Sequence, residues 1–384
     1  MHFEIFKQIK NNKKDYIIIF AVMIQSLLLI LQTVMINVWK YEPEQTTIYR
    51  VSLTAIPMVC AIWVAATRNL SRVFFSFAIS IIVLLLHAVM FPENAQFIYA
   101  QGTRFLLPVV IPSLVCLSLV SNIQLFEKGV YVISWISTFF ILYYVYEFFK
   151  GTFFFNEYNM PFSYACLLPM TVLYSHRKIY DITASILIFF VVLSIGCRGA
   201  ALYFIAYVVL DLLLSKSKYR YVAIFLAASF ILVLPNIGGF LDSIGISSRT
   251  LNMFASGEIG DDSGRDAISN LFFNMLLKNP IVGLGLFGDR AIPNVPYCHN
   301  IFLEILLNFG LLLGTLIIIF LGRLVYKTYV AASDENRNKL IRYFCALFLP
   351  FLTSDSYLIS SGFAIFLGIC ILIKNNTYRN ERIN

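Results

Sequence analysis

The stretch "VPYCHNIFLEILLNFGLLLGTLIIIFLG", residues 295–322, places His299 and Asn300 at the lip of an almost unbroken apolar run. About 20 such residues in a helix cross the roughly 30 Å of hydrocarbon in a bilayer. Comparable runs recur at 16–36, 48–66, 73–91, 104–121, 129–149, 162–175, 181–196, 198–214, 220–238, 300–325, 340–353 and 357–373. This predicts an all-α, polytopic integral membrane protein of about twelve transmembrane helices. The count runs from eleven to thirteen, because 340–353 and 357–373 also read as one re-entrant unit. Composition agrees. The chain is 59% hydrophobic and 13% charged, with 36 Phe and 22 Tyr, whereas about a quarter of a soluble chain is charged. One transmembrane domain over 1–384 is expected. Its first span is too long for a signal peptide, has no small-residue cleavage site after it, and reads as a retained anchor.

Basic residues outnumber acidic ones by 29 to 21. With "KQIKNNKK" on the cytoplasmic side, 20 of the 29 Lys and Arg fall in inner-side loops. The positive-inside rule therefore explains the excess, and nucleic acid is not needed. It also predicts both termini in the cytoplasm. Seven cysteines without a CxxC pair imply no disulfide framework. Cys197 and Cys298 stand apart, since each precedes a polar residue on the outer, oxidising side, where a bridge between them is conceivable.

Residues 239–298 form an outer loop of about sixty residues, where helix connections usually take 2–8. Within it Ile268, Leu271, Phe272, Met275 and Leu276 trace the stripe of an amphipathic helix. Ser263 and Asp266 resemble a capping box, and Asn279-Pro280 is a stop. Arg265 falls in the first turn, where the helix dipole disfavours a cation. It is either solvated or paired with Asp261 or Asp262, or it joins the helix N-terminus in holding an anion such as phosphate. With four basic and six acidic residues in the loop, any anion site there is local.

A second anomaly is "VVLSIGCRGAALYFIAYVVLDLLL", residues 191–214. From 182 to 214 a continuous helix would reach roughly 50 Å, too long for one span, so Gly196–Gly199 is a tight turn. Parity turns it outward and puts Arg198 on the side of the long loop. Arg198 then either caps helix ends and meets headgroups or serves function. His299 is the third anomaly. Pro293, Pro296 and the start of a span hold its imidazole at the outer interface, with an ordinary pKa suited to accepting a proton near neutrality. His87 and His176 read as structural. The GxGxxG match at 283–288 follows no βαβ strand and reads as a loop allowing close backbone approach, not as a dinucleotide site.

In order, "CRGAALYFIAYVV", "SGRDAISNLFFNMLLKNPIVGLGLFG" and "HNIFLEILLNFGLLLG" resemble the O-antigen polymerase and ligase family of bacterial cell-envelope proteins, over roughly 182–322. The family's two arginines and its histidine before asparagine correspond to Arg198, Arg265 and His299, and its P-x-x-G-x-G to Pro280, Gly283 and Gly285. Cys197 stands where serine is usual, and Asn308 where a glutamate often precedes x-Gly. The resemblance implies a GT-C-like glycosyltransferase of the cytoplasmic membrane, with its active face periplasmic or extracellular. Its substrate would be an undecaprenyl-diphosphate-linked oligosaccharide, and its working partners membrane lipid, a flippase and a chain-length regulator. Arg198 and Arg265 would hold the diphosphate, Asn300, Gly283 and Gly285 would add to the binding site, and His299 would take the proton of the attacking hydroxyl. No cofactor is expected. No metal is expected either, as "DD" at 261–262 is not DxD and arginines suit the same charge. A polymerase joining repeat units leads; a ligase passing the glycan to a lipid or protein, and a lipid-glycan flippase, are the alternatives.

Overall fold

In α1 (His2–Asn37) and α2 (Pro43–Arg68) the hydrophobic runs fold back on each other. Buried Asp15 near the start of the first pairs with Arg68 at the end of the second at 2.6 Å. Ser121 adds its N–H and hydroxyl to the same carboxylate. This computed structural model describes residues 2–153, 160–195, 197–214, 221, 225, 264–292 and 297–381, whose regular structure is entirely helical. The elements that follow are α3 (Leu70–Met90), a composite α4 (Pro92–Leu117), α5 (Ile123–Phe149), α6 (Met160–Ser175), α7 (Ile179–Ile195) and α8 (Arg198–Leu214). After them come α9 (Arg265–Lys278), α10 (Ile301–Ala331), α11 (Asp334–Tyr343) and α12 (Ser361–Glu381).

Among the described residues six helices, α1 to α5 and α10, are long and apolar enough to cross a membrane on their own, and α7 and α12 are shorter apolar helices. The chain is a polytopic membrane protein. α3 shows why: only 11% of its most apolar window is buried. Phe74, Leu85 and Val89 point outward at 62%, 61% and 78% exposure. A helix with apolar residues on its exposed side needs lipid there, not water. The expected span at 220–238, Ser263 and the stretch 239–263 lie outside the described residues.

The ion pairs distinguish the two ends of the bundle. One end gathers Asp15–Arg68, Arg177–Asp211, and Arg342 with Glu127 and Ser175. At the other end the end of α1 meets the end of α5, with Asn37 donating to the Tyr144 hydroxyl. There Tyr164 of α6 meets Ser354 at 2.6 Å, and Tyr203 of α8 bonds Thr353. From Arg342 the chain runs through a π turn (Phe344–Phe348) and a 3-10 turn (Leu349–Leu352) to that second end. α12 then returns, bringing Gly368 against Leu117 and Leu114. The segment 340–373 is thus two traverses of the bundle and not one re-entrant loop.

The amphipathic helix exists as α9. Phe272 and Leu276 are fully buried against Leu307 and Cys298, with Ile268 and Met275 partly so, while Leu271 faces outward. Gly264, at φ +78°, stands at its N-cap without a side-chain cap. The following turn docks into a break in α10. Gly310 leaves helical geometry there, at φ 75° and ψ 173°, freeing two backbone groups that must find partners in an apolar setting. Leu311 N–H donates to the Pro280 carbonyl at 2.7 Å, and the Leu307 carbonyl accepts from Leu284 N–H at 2.6 Å. A Cβ on Gly283 would strike the Leu307 carbonyl, and one on Gly310 the Ile281 carbonyl. Both positions therefore require glycine.

Candidate functional site

The end of the bundle that carries α9 holds a cavity of about 540 Å³ with mostly apolar walls. Polar groups converge on it from distant parts of the chain: Arg265 from α9, Tyr297 and His299 from the approach to α10, Tyr164 from α6, and Ser354 and Asp355 from the turn before α12. α1 and α2 add Gln25, Arg50 and Thr54 to the lining, and α4 adds Arg104.

His299 is placed by its backbone. Its φ of 58° is left-handed, a conformation uncommon for side-chain-bearing residues, though less so for histidine. The next residue, Asn300, is extended, and its side-chain oxygen accepts from Phe302 N–H at 3.0 Å and Leu303 N–H at 3.1 Å, capping α10. The carboxamide oxygen of Asn300, a residue expected to add to the binding site, is thus engaged at the helix start. On the other side Cys298 N–H donates to the Asp289 carboxylate at 3.1 Å. The imidazole packs on the Tyr297 ring with centroids 4.1 Å apart. Its Nδ1 is buried with no hydrogen-bond partner.

Burial, then the nearby Arg265 and Arg290 guanidinium groups, push the His299 pKa below its ordinary value, while the Ser354 backbone raises it. These effects favour the neutral ring, and its unpartnered Nδ1 is free to accept a proton. Arg265 also acts electrostatically on Cys197, Tyr203 and Tyr297, which places its charge among the elements that surround the cavity. Burial pushes the Asp355 carboxyl up to about 6, against the Ser360 hydroxyl, the Ser356 N–H and Arg290.

Arg198 begins α8 at the same end but lies off the cavity wall. It is half-buried beside Cys197, and its neighbour Gly199 makes room for the Tyr164 hydroxyl, which a Cβ there would strike. Gly283 and Gly285 also lie off the wall. Gly283 abuts α10, and Gly285 abuts the Phe91 ring. Close backbone approach is what both serve. Cys197 and Cys298 are each buried and free. Among the described residues no three His, Cys, Asp or Glu side chains group to hold a metal ion.

A buried ionic cluster supports the His299 segment, and sequence reasoning missed it. Arg290 pairs with Asp289 and, at 3.5 Å, with Glu304. It also donates to the Ser356 hydroxyl at 2.8 Å and lies 5.0 Å from the centroid of the Tyr297 ring. Ser356 in turn donates to Glu304, and Asn308 donates to the Tyr357 hydroxyl at 2.7 Å. Burial pushes the Asp289 carboxyl above its ordinary range, opposed by Arg290 and the Cys298 N–H. Two signals pointed here: a glutamate one turn into an apolar span, and the polar run "TSDSYLISSG" at 353–362 between two apolar ones. His87 and His176 are structural, accepting Leu286 N–H and meeting the Val172 carbonyl respectively.

These elements, α7 and α8, the docked α9, the glycine turn and the first part of α10, coincide with a recognised unit. Residues 183–319 match the model of the Wzy_C family, described as O-antigen ligase. Residues 1–182 and 320–384 lie outside that match, yet α1, α2, α4, α6 and the 353–362 turn complete the cavity that the matched segment lines. The family comprises glycan-transferring enzymes of surface polysaccharide synthesis, ligases and polymerases, acting on lipid-linked glycans. No curated protein and no solved structure matches the chain.

Proposed function

We propose that this protein polymerises undecaprenyl-diphosphate-linked oligosaccharide repeat units into a surface polysaccharide, by inverting, metal-independent glycosyl transfer at the outer face of the cytoplasmic membrane. The observation that carries the proposal is the convergence of Arg265 and His299 on one cavity among membrane helices, with a neutral imidazole beside a guanidinium. In this reading a sugar hydroxyl of the acceptor gives its proton to His299 as its oxygen attacks C1 of the donor. The C1–O bond breaks on the opposite side and its electron pair leaves with the polyprenyl diphosphate. Arg265, aided by Arg198 from the same end of the bundle, bears the developing charge, the task for which guanidinium donors aimed at phosphate oxygens are suited. Asp355, Ser354 and Tyr164 supply polar contacts for sugar hydroxyls, and the apolar wall suits the proximal isoprenoid. The whole chain acts as one domain, with 239–298 as its extracytoplasmic loop.

The family's description as an O-antigen ligase favours a second reading, transfer of the finished glycan to a lipid or protein acceptor. A gel of surface glycan from a deletion strain separates the two. Glycan capped with a single repeat unit marks a polymerase, whereas loss of all attached glycan marks a ligase. Complementation with His299→Ala or Arg265→Ala should give no chain extension although the protein inserts normally. Wild-type chain lengths from either variant would remove that residue from the reaction.

A further inference from the structure

The cavity is also lined by a second pair of guanidinium groups that the transfer chemistry at His299 does not use. Arg50 stands two turns into α2, half-buried, and donates to the Gln32 side-chain oxygen at 2.8 Å. Gln32 is itself tied to the Thr46 and Thr47 hydroxyls, so the guanidinium is held in place. Arg104 lies on the π-helical stretch of α4 (Ile98–Val110) and is exposed. Both line the same cavity as Arg265 and His299. Wide π turns are uncommon and recur at functional sites, and here the one stretch faces two ways. Gln101 accepts from Arg290 of the buried cluster at 3.4 Å, while Arg104 fronts the cavity.

Among the described residues no carboxylate pairs with Arg50 or Arg104. The fully buried arginines are matched: Arg290 by Asp289 and Glu304, and Arg342 by Glu127. A half-buried guanidinium such as that of Arg50 on a largely apolar cavity is costly in a membrane protein unless an anion enters, and exposed Arg104 adds a second charge to the same cavity. They are also scarce charges, since the topology places only nine of the 29 Lys and Arg on that side. A planar fork suits phosphate oxygens bidentately.

We infer that Arg50 and Arg104 form a second anion subsite, which holds the diphosphate of the acceptor lipid while Arg265 holds that of the donor. The inference rests on the polymerase reading, in which both substrates are polyprenyl-diphosphate-linked and one cavity offers guanidinium groups to both diphosphates. The acceptor's sugar then lies between them, its hydroxyl toward His299.

The test counts lipids. Full-length protein in nanodiscs is titrated with undecaprenyl diphosphate, with undecaprenol as the uncharged control, and bound lipid is counted by native mass spectrometry. Wild type should bind two equivalents of the diphosphate and none of the alcohol at the same concentration. Arg50→Gln/Arg104→Gln should bind one, and so should Arg265→Gln. Arg50→Lys/Arg104→Lys should keep two, the second at least tenfold weaker. A single equivalent in wild type, two unweakened equivalents in the double Gln variant, or none in that variant would each overturn the second subsite. If Arg265→Gln keeps both equivalents while the double Gln variant loses one, the subsite stands and the donor assignment of Arg265 falls.

Discussion

Arg290→Met removes the cation at the centre of the buried cluster while keeping most of the side chain's volume. Arg290 is 4% exposed, and its partners Asp289 and Glu304 are 0% and 1% exposed, so none of the three can turn to water. Breaking a buried ion pair from one side costs about 3–5 kcal/mol, because the abandoned charge keeps its desolvation penalty. At about 1.4 kcal/mol per factor of ten, the folded-to-unfolded ratio should fall roughly a hundred- to several-thousand-fold. The assay is equilibrium unfolding in mixed dodecyl maltoside and SDS micelles. The loss should depend on pH, and its sign follows from Asp289. Burial already lifts this carboxyl above its ordinary value and Arg290 opposes the lift, so removing Arg290 lifts it further. A carboxyl raised in the folded state contributes stability below its unfolded pKa, and that contribution is lost as pH rises through the folded value. The variant should therefore be closer to wild type at pH 5 than at pH 8. The triple variant Arg290→Met/Asp289→Asn/Glu304→Gln should recover most of the loss, since a neutral cluster leaves no charge uncompensated. An Arg290→Met protein within 1 kcal/mol of wild type at pH 8 would refute the account of the cluster as a charge-compensated support beneath Tyr297 and His299.

Two further outcomes concern the site itself. A neutral His299 is the reactive form, so kcat/KM should fall on the acid side with a midpoint below the ordinary histidine value of about 6.5. Arg265→Gln, by removing one of the charges that lower it, should move that midpoint up in the residual activity. A wild-type limb at or above pH 7, or one that Arg265→Gln leaves in place, would contradict the placement of Arg265 beside the ring. Asn300→Ala should cost about 1 kcal/mol through the lost cap of α10, whereas Asn300→Ser should keep both stability and chain extension. Loss of extension in a stable Asn300→Ser protein would restore the residue to substrate binding.

The apolar runs, the helix stripe at 268–276 and the break between Ile195 and Arg198 were legible because each is a local pattern. A bilayer selects long apolar segments, and a half-buried helix selects a period of 3.6 residues. The anomalous residues Arg265 and His299 were legible for the same reason, as polar groups at the lip of such segments, and both line the cavity. Asn300 was flagged too, for substrate binding, and its helix-capping role was not read. Its position immediately before a span suits a helix cap as well as a ligand contact, and the hydrogen bonds to Phe302 and Leu303 are those of a cap.

What the sequence determined by itself is which segments enter the membrane, where the chain bends at the interface, and which polar residues stand at those bends. Hydropathy reports how each segment partitions between lipid and water, one segment at a time. Only the tertiary structure decided which bends share a cavity. It brought Tyr164 to Ser354 across 190 positions of chain, Asn94 to the Leu284 carbonyl across another 190, and Arg50 and Arg104 to the cavity that His299 lines. Neighbour choice among membrane helices depends on fitting shapes such as Gly199 under Tyr164 and on matching buried charges such as Arg290 to Asp289 and Glu304. Those are pairwise quantities, and they have no value until both partners are in place.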